Sequence, residues 1–238
     1  MIRLHHCHET RSMRTLWMLN ELGLEYELKT YPFDRTLRAP QYLSLNPSGR
    51  VPTLEINGEV IWESGAITEF LAENHSPDRL WRRPDDPDRA DWLTWLHFAE
   101  TISQHTAALT QQHVVLYEDW MRSPTIMKIE ARRLEKCFDA IEGRLSTPVE
   151  NRDYLLTSGF SAADISVGQA VYMGRHFARI EPYPELCKWY ERITDRPSFQ
   201  ASLPPDDARL YEQEFYEPWP ENRPDDAESA GAATGRAG

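Results

Sequence analysis

The sequence is poor in cysteine, and its three cysteines, Cys7, Cys137 and Cys187, show no paired spacing. A disulfide framework is therefore excluded, and a reduced, cytoplasmic location is expected. Apolar runs are also short. None approaches the roughly 18 to 20 residues that a membrane-spanning helix requires, and no basic segment precedes an apolar one at the N-terminus, so no membrane partner is expected.

Basic residues are outnumbered by acidic ones, 26 against 38, which gives a formal net charge of −12. Such a chain repels a phosphate backbone instead of displacing its counterions. A nucleic-acid partner is therefore not expected.

The order of patterns along the chain predicts a small α/β unit followed by an all-helical one. Residues 2–7 and 25–31 alternate as strands do, and Ser12–Leu22 has helical spacing that ends at Gly23. Asn57-Gly58 between two short apolar runs predicts a β-hairpin, and a second helix is expected from Ser64.

The second half of the chain shows only helical periods, at roughly 88–120, 124–145, 161–179 and 183–196. We therefore predict a first domain at 1–80, a linker at 81–88, a helical domain at 89–205 and a C-terminal extension at 206–238. Beyond residue 220 the composition predicts disorder.

Residues 4–14, LHHCHETRSMR, place three histidines and a cysteine in four consecutive positions. In an extended strand His5 and Cys7 lie on one face while His6 and His8 lie on the other, so the four cannot share one ion. We predict no metal site here, and we expect a strand end with partly exposed imidazoles.

Cys7 has a second interpretation, because a helix follows it and a helix N-terminus stabilises a thiolate. Cys7 nevertheless falls about five residues before the first periodic residue of that helix. A small buried apolar role and a reactive thiol both remain open.

Residues 46–68, NPSGRVPTLEINGEVIWESGAIT, contain two features separated by the hairpin. The peptide bond before Pro52 has two interpretations. Pro52 is an ordinary turn proline, or the bond is cis and leaves the Val51 backbone free to pair with an extended peptide. Glu63 and Ser64 lie where a strand becomes a helix, at which unsatisfied amides can receive a carboxylate. Glu63 can accept from an amino group, so the pair could hold an amino-acid head.

These two segments together resemble the glutathione-binding signature of the cytosolic glutathione S-transferases. Residues 11–28 are similar to the first helix and second strand of bacterial members. GFSAADISVG at 159–168 is similar to the start of the family's buried helix, with Ser161 and Asp164 as a capping box. The resemblance implies a thioredoxin-like α/β N-terminal domain, an all-α C-terminal domain, and glutathione as co-substrate without a metal.

The resemblance also implies roles for individual residues. Val51 and Pro52 would bind the cysteinyl part of glutathione through the backbone, and Glu63 and Ser64 would bind its γ-glutamyl end. Arg50 is a candidate for the glycine carboxylate.

Thr10 occupies the position of the catalytic serine in serine-type members, and its hydroxyl would stabilise the glutathione thiolate. Ser12 is the alternative donor, or the N-cap of the first helix. The electrophile is expected against the helix that contains Trp95, Phe98, His105, Leu109 and His113.

The predicted function is conjugation of glutathione to a soft hydrophobic electrophile by a homodimer. Glutathione-dependent reductase or peroxidase chemistry at Cys7 is one alternative. A non-catalytic module that binds a protein partner is another.

Overall fold

The computed structural model describes residues 1–76, 78–148 and 152–219. An α/β unit comes first, with elements in the order β1 Ile2–His6, α1 Ser12–Leu22, β2 Glu27–Thr30, α2 Pro40–Leu43, β3 Thr53–Ile56, β4 Glu59–Trp62 and α3 Ser64–His75. A helical unit follows, with α4 Arg89–Thr110, α5 Pro124–Leu145, α6 Ala162–Gly174, α7 Pro184–Thr194 and α8 Pro197–Gln200. The predicted combination of α/β and all-α units is confirmed. The predicted disorder after residue 220 concerns residues outside the described part of the chain.

The four strands form one mixed sheet in the order β2-β1-β3-β4. β1 runs parallel to β2 and antiparallel to β3, and β3 pairs with β4 in the predicted hairpin. Asn57 and Gly58 both have positive φ, 53° and 89°, as a two-residue type I′ turn requires. The hairpin prediction is confirmed.

Helix α1 spans the predicted residues, and Gly23 ends it in the left-handed conformation with φ 64°. Every residue from Ser12 to Leu19 is buried, including the charged Arg14. A helix buried this completely lies between two layers, here the sheet and the helical unit.

The helical unit is built around α6, whose residues are all buried. The predicted capping box is confirmed: Ser161 accepts from the Ala163 amide, and Asp164 accepts from the Ser161 amide. Helix α5 begins and ends within the predicted limits. Helix α4 is shorter than predicted, because it ends at Thr110 in a wider turn over Gln111–Val115.

The two units meet through close contact between α1 and α6. At Gly168 an added Cβ would lie 2.5 Å from the Ile193 side chain and 3.1 Å from the Trp17 ring, so any larger residue would require both neighbours to shift. Trp17 is fully buried, and its indole N–H donates to Ser198 Oγ at 3.1 Å. Within the described residues, no helix has both the length and the apolar composition needed to cross a membrane.

Asp164 connects three segments of the helical unit, because its carboxylate accepts from the amides of Ser161 and Leu155 and from the indole of Trp189. We predict that Asp164→Ala lowers the free energy of unfolding by about 3 kcal/mol or more, since it leaves several buried donors without an acceptor. Ser161→Ala removes only the hydroxyl cap and should cost about 1 kcal/mol. Denaturant unfolding of both variants measures the difference, and equal losses would contradict the assignment.

Candidate active site

Three segments of the predicted site meet at one edge of the sheet. His5 pairs with Thr53 and Thr53 pairs with Trp62, so the end of β1, the start of β3 and the end of β4 lie side by side. The loop after β1, the Val51-Pro52 pair and the Glu63-Ser64 pair therefore lie at the same edge. The first contains Thr10, so the sheet brings the predicted binding residues close to the predicted donor.

The Val51–Pro52 peptide bond is cis. Val51 precedes the paired residues of β3, which begin at Thr53. Tyr42 and Asn46 fix the loop from both sides of this bond, since each donates to the Arg50 carbonyl, at 2.6 and 2.9 Å, and each contacts Thr53 Oγ1. The Val51 backbone is thus presented at the sheet edge by a buried polar network.

Glu63 and Ser64 lie at the N-terminus of α3. Glu63 is the N-cap with φ 76°, its side chain is exposed, and no residue of the described chain bonds to its carboxylate. Within the described residues no side chain caps the helix, so its first amides have no side-chain partner there. A free carboxylate beside unpaired helical amides complements a zwitterionic amino-acid head.

Ser64 is held by a charge from α1 that lies inside the protein. Arg14 has no exposed surface, and its guanidinium donates to Ser64 Oγ at 3.1 Å and to Ser103 Oγ at 3.3 Å. It also forms an ion pair with Glu100 of α4, which Arg11 joins at 3.0 Å. This ionic cluster connects the α3 terminus to the helical unit.

The loop after β1 contains three candidate groups for contact with sulfur, and their exposure differs. Thr10 is half-buried, whereas Ser12 has no exposed surface and Cys7 is 4% exposed. The Thr10 hydroxyl donates to the Cys7 carbonyl at 2.8 Å and lies 2.8 Å from Ser12 Oγ. Among the three, Thr10 has the greatest access to a ligand.

Ser12 is not the N-cap, which is Arg11. Its hydroxyl instead bonds inside the loop, because it accepts from the Cys7 amide at 3.1 Å and contacts His6 Nδ1 at 2.8 Å. Thr10 Oγ1 accepts the Ser12 amide at 3.3 Å. Ser12 therefore supports the position of Thr10.

Burial, with the nearby Asp34 carboxylate as the second cause, raises the pKa of the Cys7 thiol to about 11. At neutral pH the thiolate then accounts for roughly one molecule in ten thousand. A reactive cysteine needs the opposite environment, one that lowers the pKa.

The expectation of partly exposed imidazoles is wrong for two of the histidines. His5 is 1% exposed between Tyr31 and Glu55, and His6 is fully buried between Ser12 and His8. Burial lowers the pKa of His6 to about 3, with His8 as a second cause, so this ring is neutral. In the described residues, no group of three or more His, Cys, Asp and Glu side chains is placed to hold a metal ion.

The residues of the helix that was predicted to face the electrophile lie in separate environments. His105 bonds to Glu130 at 2.6 Å, and Trp95 and Phe98 contact each other edge to face. His113, beyond the end of α4, stacks with Phe177. It lines a cavity of about 620 Å³ between the end of this helix and residues 210–219.

The chain matches two family models. Residues 1–73 match the glutathione S-transferase N-terminal domain, and residues 109–197 match the C-terminal domain. Glutathione S-transferase F13 of Arabidopsis thaliana is 30% identical over 202 residues, which cover 80% of this chain and 89% of that protein. Glutathione S-transferase 3 of Schizosaccharomyces pombe is 27% identical, with coverage of 83% and 85%.

Solved structures share the fold at lower identity. A glutathione transferase homologue from Lodderomyces elongisporus, solved with two glutathione molecules per subunit, superposes with a TM-score of 0.77 at 20% identity, covering 84% of this chain and 96% of that one. Ure2p in complex with glutathione superposes with a TM-score of 0.75 at 21% identity, with coverage of 85% and 98%. The chain belongs to the glutathione S-transferase family.

Sequence reasoning missed the ion pair between the buried Arg14 and Glu100. One signal was present: Arg14 interrupts a helix whose other residues from Met13 to Leu19 are largely apolar. Its partner lies 86 residues away, at a distance that no local pattern predicts.

Burial opposes ionisation of Glu100, yet Arg14 and Arg11 outweigh it and lower the pKa of this carboxyl. We predict that Glu100→Gln lowers the free energy of unfolding by about 3 kcal/mol, because the Arg14 charge is left buried without a counter-ion. The lowered pKa means that the pair stabilises the wild type above pH 4.5, the ordinary value for this group, and that the contribution is lost as pH falls through the folded-state value.

Denaturant unfolding between pH 3 and pH 7 measures this difference. Glu135→Gln, which removes a surface partner of Arg132, is the control and should change stability by less than about 0.5 kcal/mol. Equal losses in the two variants would show that the Arg14–Glu100 pair contributes no more to the free energy of unfolding than an exposed pair does.

Proposed function

We propose that the protein is an enzyme that conjugates the glutathione thiolate to a soft hydrophobic electrophile. The observation that carries this proposal is the meeting, at one sheet edge, of the cis Val51–Pro52 backbone, the Glu63-Ser64 terminus of α3 and a partly exposed Thr10 hydroxyl. Its support from relatives is that proteins of the same fold have been solved with glutathione.

Glutathione has a γ-glutamyl head and an extended cysteinyl centre, and the site offers a complement for each. Glu63 accepts from the ammonium group, while Ser64 and the first amides of α3 receive the α-carboxylate. The Val51 backbone pairs with the cysteinyl unit, as an added strand would. Arg50 is exposed beside this pair and is proposed for the glycine carboxylate.

The thiol must ionise before it can attack. Lowering its pKa by about two units requires preferential stabilisation of the thiolate by about 2.7 kcal/mol. One hydroxyl that donates to the charged sulfur supplies about 1.5 to 3 kcal/mol. We propose that the Thr10 hydroxyl turns from the Cys7 carbonyl to the sulfur, while Ser12 keeps Thr10 Oγ1 in place.

We place the electrophile in the space near the loop that contains Thr10 and propose a cytoplasmic, homodimeric protein. Val60 and Trp62 on the edge strand β4 are each 42% exposed, which supports an apolar contact between two copies. The Cys7 alternative is disfavoured because the thiol is buried and its pKa is raised.

Thr10→Val removes the proposed donor and keeps the shape of the side chain. The thiol pKa of bound glutathione should rise by about one to two units, with a fall in kcat at pH 7 of about threefold to 25-fold, because the lost hydrogen bond acts only on the thiolate. The pH dependence of thiolate absorbance measures this shift, and calorimetry should find glutathione affinity nearly unchanged.

Thr10→Ser is the matched control, since it restores the hydroxyl and should behave like the wild type. An unchanged absorbance profile in Thr10→Val would remove Thr10 from the mechanism. If the wild type binds glutathione but turns over no aromatic halide, the non-catalytic binding module becomes the better account.

Cys7→Ala separates conjugation from thiol-disulfide chemistry. We predict that this variant conjugates glutathione to an aromatic halide within about twofold of the wild-type rate, because a thiol with so high a pKa contributes no nucleophile. Parallel assays of disulfide reduction provide the comparison. A reductase activity that is present in the wild type and absent from Cys7→Ala would favour the alternative function.

A further inference from the structure

Glu9 is a buried carboxylate beside Thr10 that the proposed chemistry does not use. It is 3% exposed, and its backbone has φ 51°. Residues other than glycine and asparagine rarely adopt this left-handed conformation. Such a conformation costs of the order of 1 kcal/mol. Its presence next to Thr10 therefore calls for an explanation in the contacts of the carboxylate.

The carboxylate binds the C-terminal segment of the chain. Its Oε2 atom accepts the amides of both Leu210 and Tyr211, the latter at 3.0 Å, across some 200 residues of sequence. Its Oε1 atom accepts from the hydroxyl of Tyr172 on α6 at 3.0 Å. We call residues 209–216 the C-terminal strap. The Glu9 oxygen that accepts two adjacent amides is a specific acceptor for the backbone of this strap.

Further contacts hold the strap against the ends of α4 and α6. The Tyr211 ring stacks on His176 with centroids 4.4 Å apart, and its hydroxyl lies 2.9 Å from Thr110 Oγ1. The Tyr216 amide donates to the His176 carbonyl at 2.7 Å. The strap is thus docked along its length, and Glu9 is the point at which it meets the loop after β1.

Helix α6 and His176, which lies two residues beyond its end, link the same loop to the same strap. Gln169 donates to the Thr10 carbonyl at 3.4 Å, Tyr172 donates to Glu9, and His176 contacts the strap. Burial, with Glu9 as the second cause, raises the pKa of Tyr172, so its hydroxyl keeps the proton that it donates. One continuous set of polar contacts therefore connects the loop after β1, the C-terminal strap and α6.

We propose that Glu9 is a positioning residue that ties the C-terminal strap to the loop containing Thr10, so that the placement of the Thr10 hydroxyl depends on the strap being docked. This inference rests on the proposed function for its catalytic consequence. The mechanical coupling of loop and strap can be measured without glutathione.

Glu9→Asn tests the carboxylate separately from the backbone. Asparagine tolerates a positive φ, but it is one methylene shorter and neutral, so it keeps the loop conformation and withdraws the acceptor. Glu214→Gln is the matched control, because it removes one negative charge from an exposed position in the strap itself. Tyr211→Ala perturbs the strap from the other side.

Amide hydrogen exchange, followed by mass spectrometry in the protein alone, is the first measurement. In Glu9→Asn the strap should exchange at least about tenfold faster, and in Tyr211→Ala the loop at residues 7–13 should also exchange faster, because coupling is reciprocal. Trypsin should cut after Arg209 correspondingly faster in Glu9→Asn. Glu214→Gln should match the wild type in both measurements.

The thiol pKa of bound glutathione is the second measurement. Glu9→Asn should raise it by about half a unit to one unit, while the dissociation constant for glutathione stays within about threefold, since Val51, Glu63 and Ser64 are untouched. A faster-exchanging strap with an unchanged loop and an unchanged thiol pKa would overturn the coupling.

Tyr172→Phe removes one donor to the same carboxylate, and it carries the same test if Glu9→Asn does not fold. Should the wild type fail to bind glutathione, the proposed function falls. The reciprocal exchange of loop and strap would still decide whether Glu9 couples them, and changes confined to the mutated segment would refute it.

Discussion

The buried guanidinium of Arg14 constrains how the two units pack against each other. A charge in this position is stable only if counter-charges and acceptors surround it, and Glu100, Ser64 and Ser103 supply them from two other helices. Helix α3 and helix α4 must therefore keep fixed positions relative to α1. The same requirement orients the amino terminus of α3, where the head of a peptide ligand is proposed to bind.

A second set of buried polar contacts fixes the opposite side of the site. Asn46 and Tyr42 hold the backbone around the cis bond, and the loop after β1 is held by hydrogen bonds among Thr10, Ser12 and the Cys7 backbone. Their acceptors include the main-chain carbonyls of Arg50 and Cys7. The site is therefore preorganised by the backbone, which leaves the exposed Glu63 and the half-buried Thr10 available for a ligand.

How much of this was predictable depends on how local each determinant is. Helix α1, the hairpin at Asn57-Gly58 and the capping box at Ser161 follow from residues within four positions of one another, and sequence reasoning placed them correctly. The end of α4 was misplaced. The apolar pattern continues through Val114 and Val115, whereas stacking of His113 on Phe177 accompanies the change of backbone there.

The candidate site was predictable in part for the same reason. The Val51-Pro52 and Glu63-Ser64 pairs stand out in a short stretch of sequence, and the sheet register brings them together. The burial of His5 and His6 was not predictable, because their partners Glu55 and Ser12 are placed by strand pairing and by the loop. The ion pair of Arg14 with Glu100 shows in the sequence only as one charge within an apolar helix, which does not indicate the partner.

The histidines around the site have one consequence for how its chemistry would be observed. Burial lowers the pKa of His6 and of His113, to about 3 and about 4, and it also lowers the pKa of His8 and His176. The titration of these four imidazoles is thereby displaced below the ordinary histidine range. An ionisation observed near neutrality in a glutathione complex would therefore have its origin in another group than these four rings.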